Sequence, residues 1–513
     1  AFLDAAKALD EVNAKEYGLV AYEACNTLTE NGGITYKTTC SDLLDMFAMG
    51  AARRNRSDED VILMFQKAYK ENPVYALKCL FYIRDVRGGQ GERRFFRVCM
   101  KWLASYDMAA AKRNLEYVAE FGRWDDLYCF VGTPLEAAAF ATIKDQLALD
   151  LTCKTPSLLA KWLKSENASS TETTALGNKT RMYLGMNHRE YRKTLAYLRQ
   201  KINIVERLMS ENRWDEIEFD KIPSKAGLIY KNAFARRDII KAKYEKFAKD
   251  ETTKVNAGTL YPYEVVEKAV DLMGSTGWNN RKVALDNTDR LMINKYWDNL
   301  TDYFNGASLN ALCMVDTSGS MYGTPINVAT SLGLYCAEKA GGPFAGHYIS
   351  FSSRPQLIET SGVDFCDKVD RIVRTNLCEN TNIEAAFRML LETAQRNHCT
   401  QADMPENILV ISDMEFDQAT GNRWGRTSGS HITVANAESV MEAIEREYNA
   451  AGYNMPKLIF WNVDARQNNI PPFFVVDAAG ENQPMVDRTG RLFRIEDLDP
   501  EFVATRVDKA LYE

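Results

Sequence analysis

The chain has 513 residues, 46% of them hydrophobic and 26% charged, with a formal net charge of −7. That length supports about two to four domains with real cores. No apolar run reaches the roughly 18 residues that span a bilayer, and the opening AFLDAAKALDEVNAKEYG is charged and amphipathic rather than a secretion signal. The expectation is therefore a cytoplasmic chain with no membrane partner.

None of the 11 cysteines forms a CxxC pair, and Cys79, Cys99, Cys313 and Cys336 sit in apolar patterns that suit buried thiols in a reducing compartment. The histidines, His188, His347, His398 and His431, are scattered singly, which argues against a structural zinc site. Without a secretion signal, the Asn167-Ala-Ser acceptor pattern reads as chance. Charge is distributed unevenly. Residues 1–300 hold 46 Lys and Arg against 41 Asp and Glu, and residues 151–250 alone hold 21 against 12. Solvated helix faces explain such an excess, and so does a basic surface that meets a polyanion.

To about residue 300 the apolar spacing is helical. Val61, Leu63, Met64, Phe65 and Ala68 fit one face, Ala76, Leu77, Leu80, Phe81 and Ile83 a second, and Phe95, Phe96, Val98, Cys99, Trp102 and Leu103 a third. Short breaks at Glu71-Asn72-Pro73, Arg87-Gly88-Gly89-Gln90-Gly91 and Phe121-Gly122-Arg123-Trp124 join them. The pattern predicts stacked helix pairs, a HEAT-like α-helical repeat domain over 1–300 without a sequence period of fixed length. From about residue 308 the grammar changes. Apolar runs at 311–315, 346–351, 407–411 and 457–463 alternate with helical stretches at 326–340, 383–396 and 437–450. Strands alternating with helices predict an α/β domain over 301–513 with a doubly wound parallel sheet, whose ligands bind at the carboxyl ends of the strands.

Two of those strands end in aspartate: Leu312-Cys313-Met314-Val315-Asp316 and Ile408-Leu409-Val410-Ile411-Ser412-Asp413. Ser318 and Ser320 follow Asp316 within one turn, and Thr381 lies in a polar loop between the two strands. Asp316, Ser318, Ser320, Thr381 and Asp413 are all hard oxygen donors. They suit Mg2+, or Mn2+, with water completing an octahedral shell and a position left for a carboxylate from a protein partner. The alternatives are helix capping by Asp316 and Ser318, and hydrolysis with the aspartates as acid and base. No histidine lies in these loops to activate a serine, and no GxSxG, P-loop or dinucleotide fingerprint occurs, so an enzyme with a small-molecule substrate is not expected.

The ordered set DTSGS…T…SD resembles the metal-ion-dependent adhesion site (MIDAS) of von Willebrand factor A domains. The stretches TENGGITYKTTCSDLLDMF (29–47), YIRDVRGGQGERRFFRVCMKWL (82–103), YVAEFGRWDDL (117–127), LLAKWLKSENASS (158–170) and LIFWNVDARQNNIP (458–471) resemble a little-characterised family of bacterial, viral and plant proteins. That family is similar in turn to the Ro autoantigen (TROVE) proteins, through RGGxGER, FGRWDDL and the AKWL helix. The resemblance implies a ring of helical repeats with an A domain. It also implies a ribonucleoprotein scaffold that binds small structured RNAs on a basic surface and passes single-stranded 3′ ends through its hole. The acidic tail after Pro471 departs from the Ro pattern.

Two groups of residues carry an RNA expectation on their own chemistry. Arg84, Arg87, Arg93, Arg94 and Arg97 surround glycines whose amides favour phosphate oxygens, although Asp85 and Glu92 between them fit an internal salt-bridge network equally well. Lys161, Lys164, Lys179, Arg181, His188, Arg189, Arg192 and Lys193 flank the polar stretch 165–179. Together these residues predict salt-sensitive, largely sequence-independent contacts to structured or single-stranded RNA. The competing expectation is an assembly module of viral origin in which both halves contact proteins and no RNA is bound.

Overall fold

The computed structural model describes residues 26–28, 34–36, 41–50, 56–85, 87–202, 205–257, 260–273, 287–302, 310–351, 355–360, 362, 364–375, 383–413, 440–463, 485–486 and 492–493. Ser57 opens the helix Asp58–Glu71 (α1) by accepting from the Asp60 amide at 3.1 Å, and Asp58, Glu59 and Asp60 place negative charge on its positive end. Its buried residues, Val61, Met64, Phe65, Ala68 and Tyr69, keep the spacing of one helix face, whereas Leu63, expected on it, points away and is exposed. Asn72 ends α1 and caps the next helix, Pro73–Arg84 (α2), by accepting from the Val74 and Tyr75 amides at 3.1 Å each. Arg94–Tyr106 (α3) packs on both, with Phe81 and Phe96 edge to face at 5.3 Å. The succession continues through Glu136–Thr152 (α4), Thr171–Tyr183 (α5), His188–Ile202 (α6), Ser224–Arg236 (α7) and Asp238–Lys249 (α8).

Two compact units divide the chain, and two helices depart from the split expected at residue 300: Asp42–Met49, near the start of the chain, groups with the sheet unit, and a second helix does so further on. Pro262–Leu272 (α9) groups with the sheet that follows, whereas Asn287–Asp298 (α10) groups with the helices that precede it. Burial gives the reason. Val265, Val266 and Ala269 are fully buried, and α9 packs against the sheet-covering helix Thr324–Lys339 (α11).

The sheet unit is the α/β domain that the strand-helix alternation predicts. Its strands are Ala311–Asp316 (β1), His347–Phe351 (β2), Gln356–Glu359 (β3), Asn407–Ser412 (β4) and Lys457–Asn462 (β5), in the order β3-β2-β1-β4-β5. All pairings are parallel except that of β2 with the edge strand β3. β1 is buried along its whole length, as a central strand covered on both faces must be. On one face Leu312 and Met314 join Ile408, Val410, Phe387, Ile444 and Tyr448. On the other, α11 lies close enough that a Cβ on Gly333 would stand 2.4 Å from Cγ2 of Val315. The chain runs outward from β1 through β2 to β3 on one side and then crosses back to place β4 on the other side of β1, so the carboxyl ends of β1 and β4 form the switch point of the sheet. No described helix is long and apolar enough to cross a membrane.

Burial also fixes thiol chemistry. It pushes the Cys79 thiol up to about 12 and raises Cys99 well above its ordinary value, while Cys153 is exposed. Of these three, alkylation of the native chain at neutral pH is expected to modify Cys153 and to reach Cys79 and Cys99 only after unfolding. Peptide mapping of the alkylated protein reads this directly, and rapid native labelling of Cys79 would contradict the packing of α2 on α3.

Candidate metal centre and candidate nucleic-acid interface

At the switch point, the pairing of Val315 with Ile411 sets Asp316 beside Ser412. The Asp316 carboxylate accepts the Ser412 hydroxyl at 2.5 Å through one oxygen and the Ser318 amide at 2.9 Å through the other. Ser318 Oγ lies 3.0 Å from Ser320 Oγ within the turn Gly319–Met321, and Gly323 leaves that turn at φ +94°, a left-handed conformation that favours glycine. Asp413 is 1% exposed immediately after β4. The structure therefore brings Asp316, Ser318, Ser320 and Asp413 to one end of two neighbouring strands, while Thr381 lies outside the described residues. Among the described residues no group of three or more His, Cys, Asp or Glu converges. A centre here would rest on hydroxyl oxygens as much as on carboxylates. That donor set fits a hard divalent cation, whose charge would offset the cost of burying two carboxylates. Sequence reading gave Ser412 no role. Its signal was the hydroxyl one position before the second strand-end aspartate, which becomes informative only once the strand register is known.

In the helical unit the expected phosphate loop has another job. The Gln90, Gly91 and Glu92 amides donate to the carbonyls of Tyr82, Asp85 and Ile83 at 2.8–3.1 Å. Gly89 is buried, and a Cβ there would lie 1.9 Å from the Tyr82 carbonyl oxygen. These glycines make a tight internal turn, so the amides of residues 90–92 are not an anion cradle. The amino end of α3 is taken as well, since Glu92 accepts from the Arg94 amide at 2.9 Å.

Most of the predicted cations are committed to partners within the protein, Arg97 to Asp126 among them. Arg84 is 1% exposed and pairs with the fully buried Asp126 at 2.7 Å. Arg94 pairs with Asp58, Lys161 with Glu206, Lys179 with Glu136, and both Arg181 and His188 with Glu166. Arg87 donates to the Glu120 carbonyl at 2.8 Å, and Lys164 lies 3.9 Å from Asp125. Arg93, Arg189, Arg192 and Lys193 are exposed and make no ion pair among the described residues. The last three lie on α6 outside its buried stripe of Tyr191, Leu195 and Leu198, with Arg189 and Lys193 opposite the stripe and Arg192 at its flank. Tyr197, 46% exposed, lies on the same outer side, with Lys201 Nζ 4.8 Å above its ring. The inner side of α6 is fixed: Tyr191 donates to the Lys164 carbonyl at 2.7 Å, and Arg199 donates to the carbonyls of Ala160 and Leu163. Trp214 is buried, as a packing anchor should be, and Arg237 stacks over it at 4.9 Å.

The motif FGRWDDL supplies the centre of this unit. Asp126 accepts from Arg84 at 2.8 Å, Arg97 at 2.6 Å and the Arg123 amide at 2.9 Å, and Asp125 takes both fork nitrogens of Arg123 at 2.9 Å each. Arg123 in turn stacks 3.9 Å over the Trp162 ring of the AKWL helix.

Residues 29–155 and 150–307 match the family described as domain of unknown function DUF2828, and residues 310–486 match domain of unknown function DUF7788. The chain belongs to the first of these families, as the expected membership of a little-characterised group requires. An uncharacterized protein of Acanthamoeba polyphaga mimivirus is 28% identical over 498 residues, spanning 88% of this chain and 81% of that one. The chain is also similar to the crystal structure of the Deinococcus radiodurans Ro (RSR) protein, with 14% identity and a TM-score of 0.46 over 91% of this chain and 99% of that one.

Two outcomes follow for the buried network. Asp126→Ala leaves Arg84 buried without its counter-charge and should cost about 3–5 kcal/mol in urea denaturation. Burial works to raise the Asp125 carboxyl, but Arg123 and Arg97 outweigh it and hold it below its usual value. Its contribution is therefore complete above the unfolded value of about 3.9 and is lost as pH falls through the lower folded value. Stability of the helical unit should fall only below about pH 4. A loss beginning near neutral pH would point to a different titrating group.

Proposed function

We propose that the chain is a non-enzymatic RNA-binding scaffold in which the helical unit holds the RNA backbone and the sheet unit engages a protein partner through a divalent ion. The observation that carries the RNA reading is the outer side of α6, where Arg189, Arg192 and Lys193 stand exposed without ion-pair partners among the described residues. Neighbouring cations are neutralised by Glu136, Glu166 and Glu206, whereas these three retain their full charge for phosphate oxygens. Tyr197 beside them offers a ring face to an unpaired base. Contacts of this kind position an RNA without reading its sequence.

In the sheet unit, Asp316, Ser318, Ser320 and Asp413, with Thr381, would hold Mg2+ or Mn2+. When bound, the ion supplies a Lewis-acidic position for a partner's carboxylate. Ser412 and the Ser318 amide hold the Asp316 carboxylate in place for this role.

Mobility-shift titration with a structured RNA carrying a single-stranded 3′ tail, at two salt concentrations and against duplex DNA, tests the first half. The combined variant Arg189→Ala, Arg192→Ala and Lys193→Ala should bind at least tenfold more weakly, with the salt slope reduced by about 2. Unchanged affinity and slope would remove α6 from the interface, and an absence of binding at low salt would leave the protein-assembly reading in its place. Asp316→Ala should abolish Mg2+-dependent stabilisation in thermal melts while leaving RNA affinity intact. Loss of RNA binding by this variant without unfolding would refute the division of labour.

A further inference from the structure

We propose that Arg93, Arg97, Arg123 and Lys164 form a binding site for one phosphate group, supplied either by an RNA phosphodiester or by a free nucleotide. The site uses different residues from the outer side of α6 and stands or falls separately from it. Its basis is a charge imbalance that the fold itself creates. Arg84, Arg93, Arg97, Arg123 and Lys164 gather around Asp125 and Asp126, five cations against two carboxylates. An ion-pair network built only for stability would come closer to balance, because unmatched like charges repel one another.

The carboxylates are already spent. Asp126 is fully buried and divided between Arg84 and Arg97. Both oxygens of Asp125 are taken by the Arg123 fork, and Arg97 shares one of them at 3.0 Å. Lys164, at 3.9 Å, is beyond hydrogen-bond reach of Asp125. Arg93 makes no ion pair among the described residues and lies within the fields of Arg123, Arg97, Asp125 and Arg84, where partial burial adds to the effect of the like charges. Burial and those like charges both push its guanidinium down from its ordinary value. A phosphate among these four side chains would relieve the repulsion and accept charge-assisted hydrogen bonds. Pre-organisation is built in. Asp125 orients Arg97 and Arg123, and the Trp162 ring 3.9 Å beneath Arg123 fixes the plane of its guanidinium. Arg97, Arg123 and Lys164 are each between one fifth and one third exposed, so a small anion can reach them.

The test titrates the full-length chain with inorganic phosphate, read by thermal shift and by phosphorus NMR line broadening, against chloride at matched ionic strength. Saturable stabilisation specific to phosphate is expected. It should weaken at least tenfold in Arg93→Gln and again in Lys164→Gln. Neither side chain contacts Asp126, and circular dichroism checks that both variants fold. A wild-type response equal to that in chloride, or wild-type affinity in both variants, would overturn the site and leave a purely structural network. A second arm separates the sources. If phosphate displaces a labelled single-stranded RNA, and Arg93→Gln weakens that RNA while the α6 variant still binds phosphate, the group is an RNA phosphodiester. If Arg93→Gln weakens phosphate and AMP but leaves the RNA unchanged, the ligand is a free nucleotide.

Discussion

Asp126 can exist as a buried anion only because Arg84 and Arg97 reach it from two different helices and the Arg123 amide closes the remaining side. Taking a carboxylate out of water costs several kcal/mol, and only good geometry with full hydrogen bonding recovers it. The consequence is positional. α2, α3 and the turn that carries Trp124 are held in one relative arrangement, because a small slip would strand a charge in the interior. The AKWL helix is then registered against that turn through Arg123 and Trp162, and α6 through Tyr191 and Arg199. The exposed cations of α6 thus owe their placement to a salt bridge that never meets solvent.

A different constraint governs the sheet unit. β1 has no exposed residue, so burial on both faces fixes it at the centre of the sheet, and Asp316 at its carboxyl end is itself fully buried. Hydrogen bonds then refine what burial sets. Ser412 from the neighbouring strand and the Ser318 amide from the following turn lock both carboxylate oxygens of Asp316. The Asp316 oxygens are in this way held by one side-chain hydroxyl and one backbone amide. Such rigidity is what a weakly held cation needs if it is to bind at a useful concentration.

Much of this was legible in the sequence, and the failures have identifiable causes. The change from helical to alternating periodicity located both architectures, and strand-end aspartates located the switch point, because each is a local pattern. The glycine loop stayed open between two readings because RGGQGER has the composition of an anion cradle, and only the Tyr82, Asp85 and Ile83 carbonyls reveal that its amides are spent internally. Arg84, Arg94, Lys161, Lys179 and Arg181 looked available because their partners lie 15 to 45 residues away. Charge counting registers an excess but cannot say which cations are already neutralised. Arg189, Arg192 and Lys193 survive that accounting because their helix supplies no carboxylate to them: Glu190 accepts from the Asn187 amide instead.

Helix α9 carries a lesson about inheritance. The chain gives its early helix Asp42–Met49 to the sheet unit, builds most of the helical unit, donates α9 to the sheet unit, returns for α10 and only then lays down β1. The match to DUF2828 ends at residue 307 and that to DUF7788 begins at 310, so both boundaries fall after α9 although the physical division falls before it. A gene cut at that junction would leave Val265, Val266 and Ala269 without the helix that covers them and would strip α11 of its cover in return. The two units are interleaved along the chain. A lineage that acquired one by simple fusion at residue 308 would have acquired a sheet with an open flank.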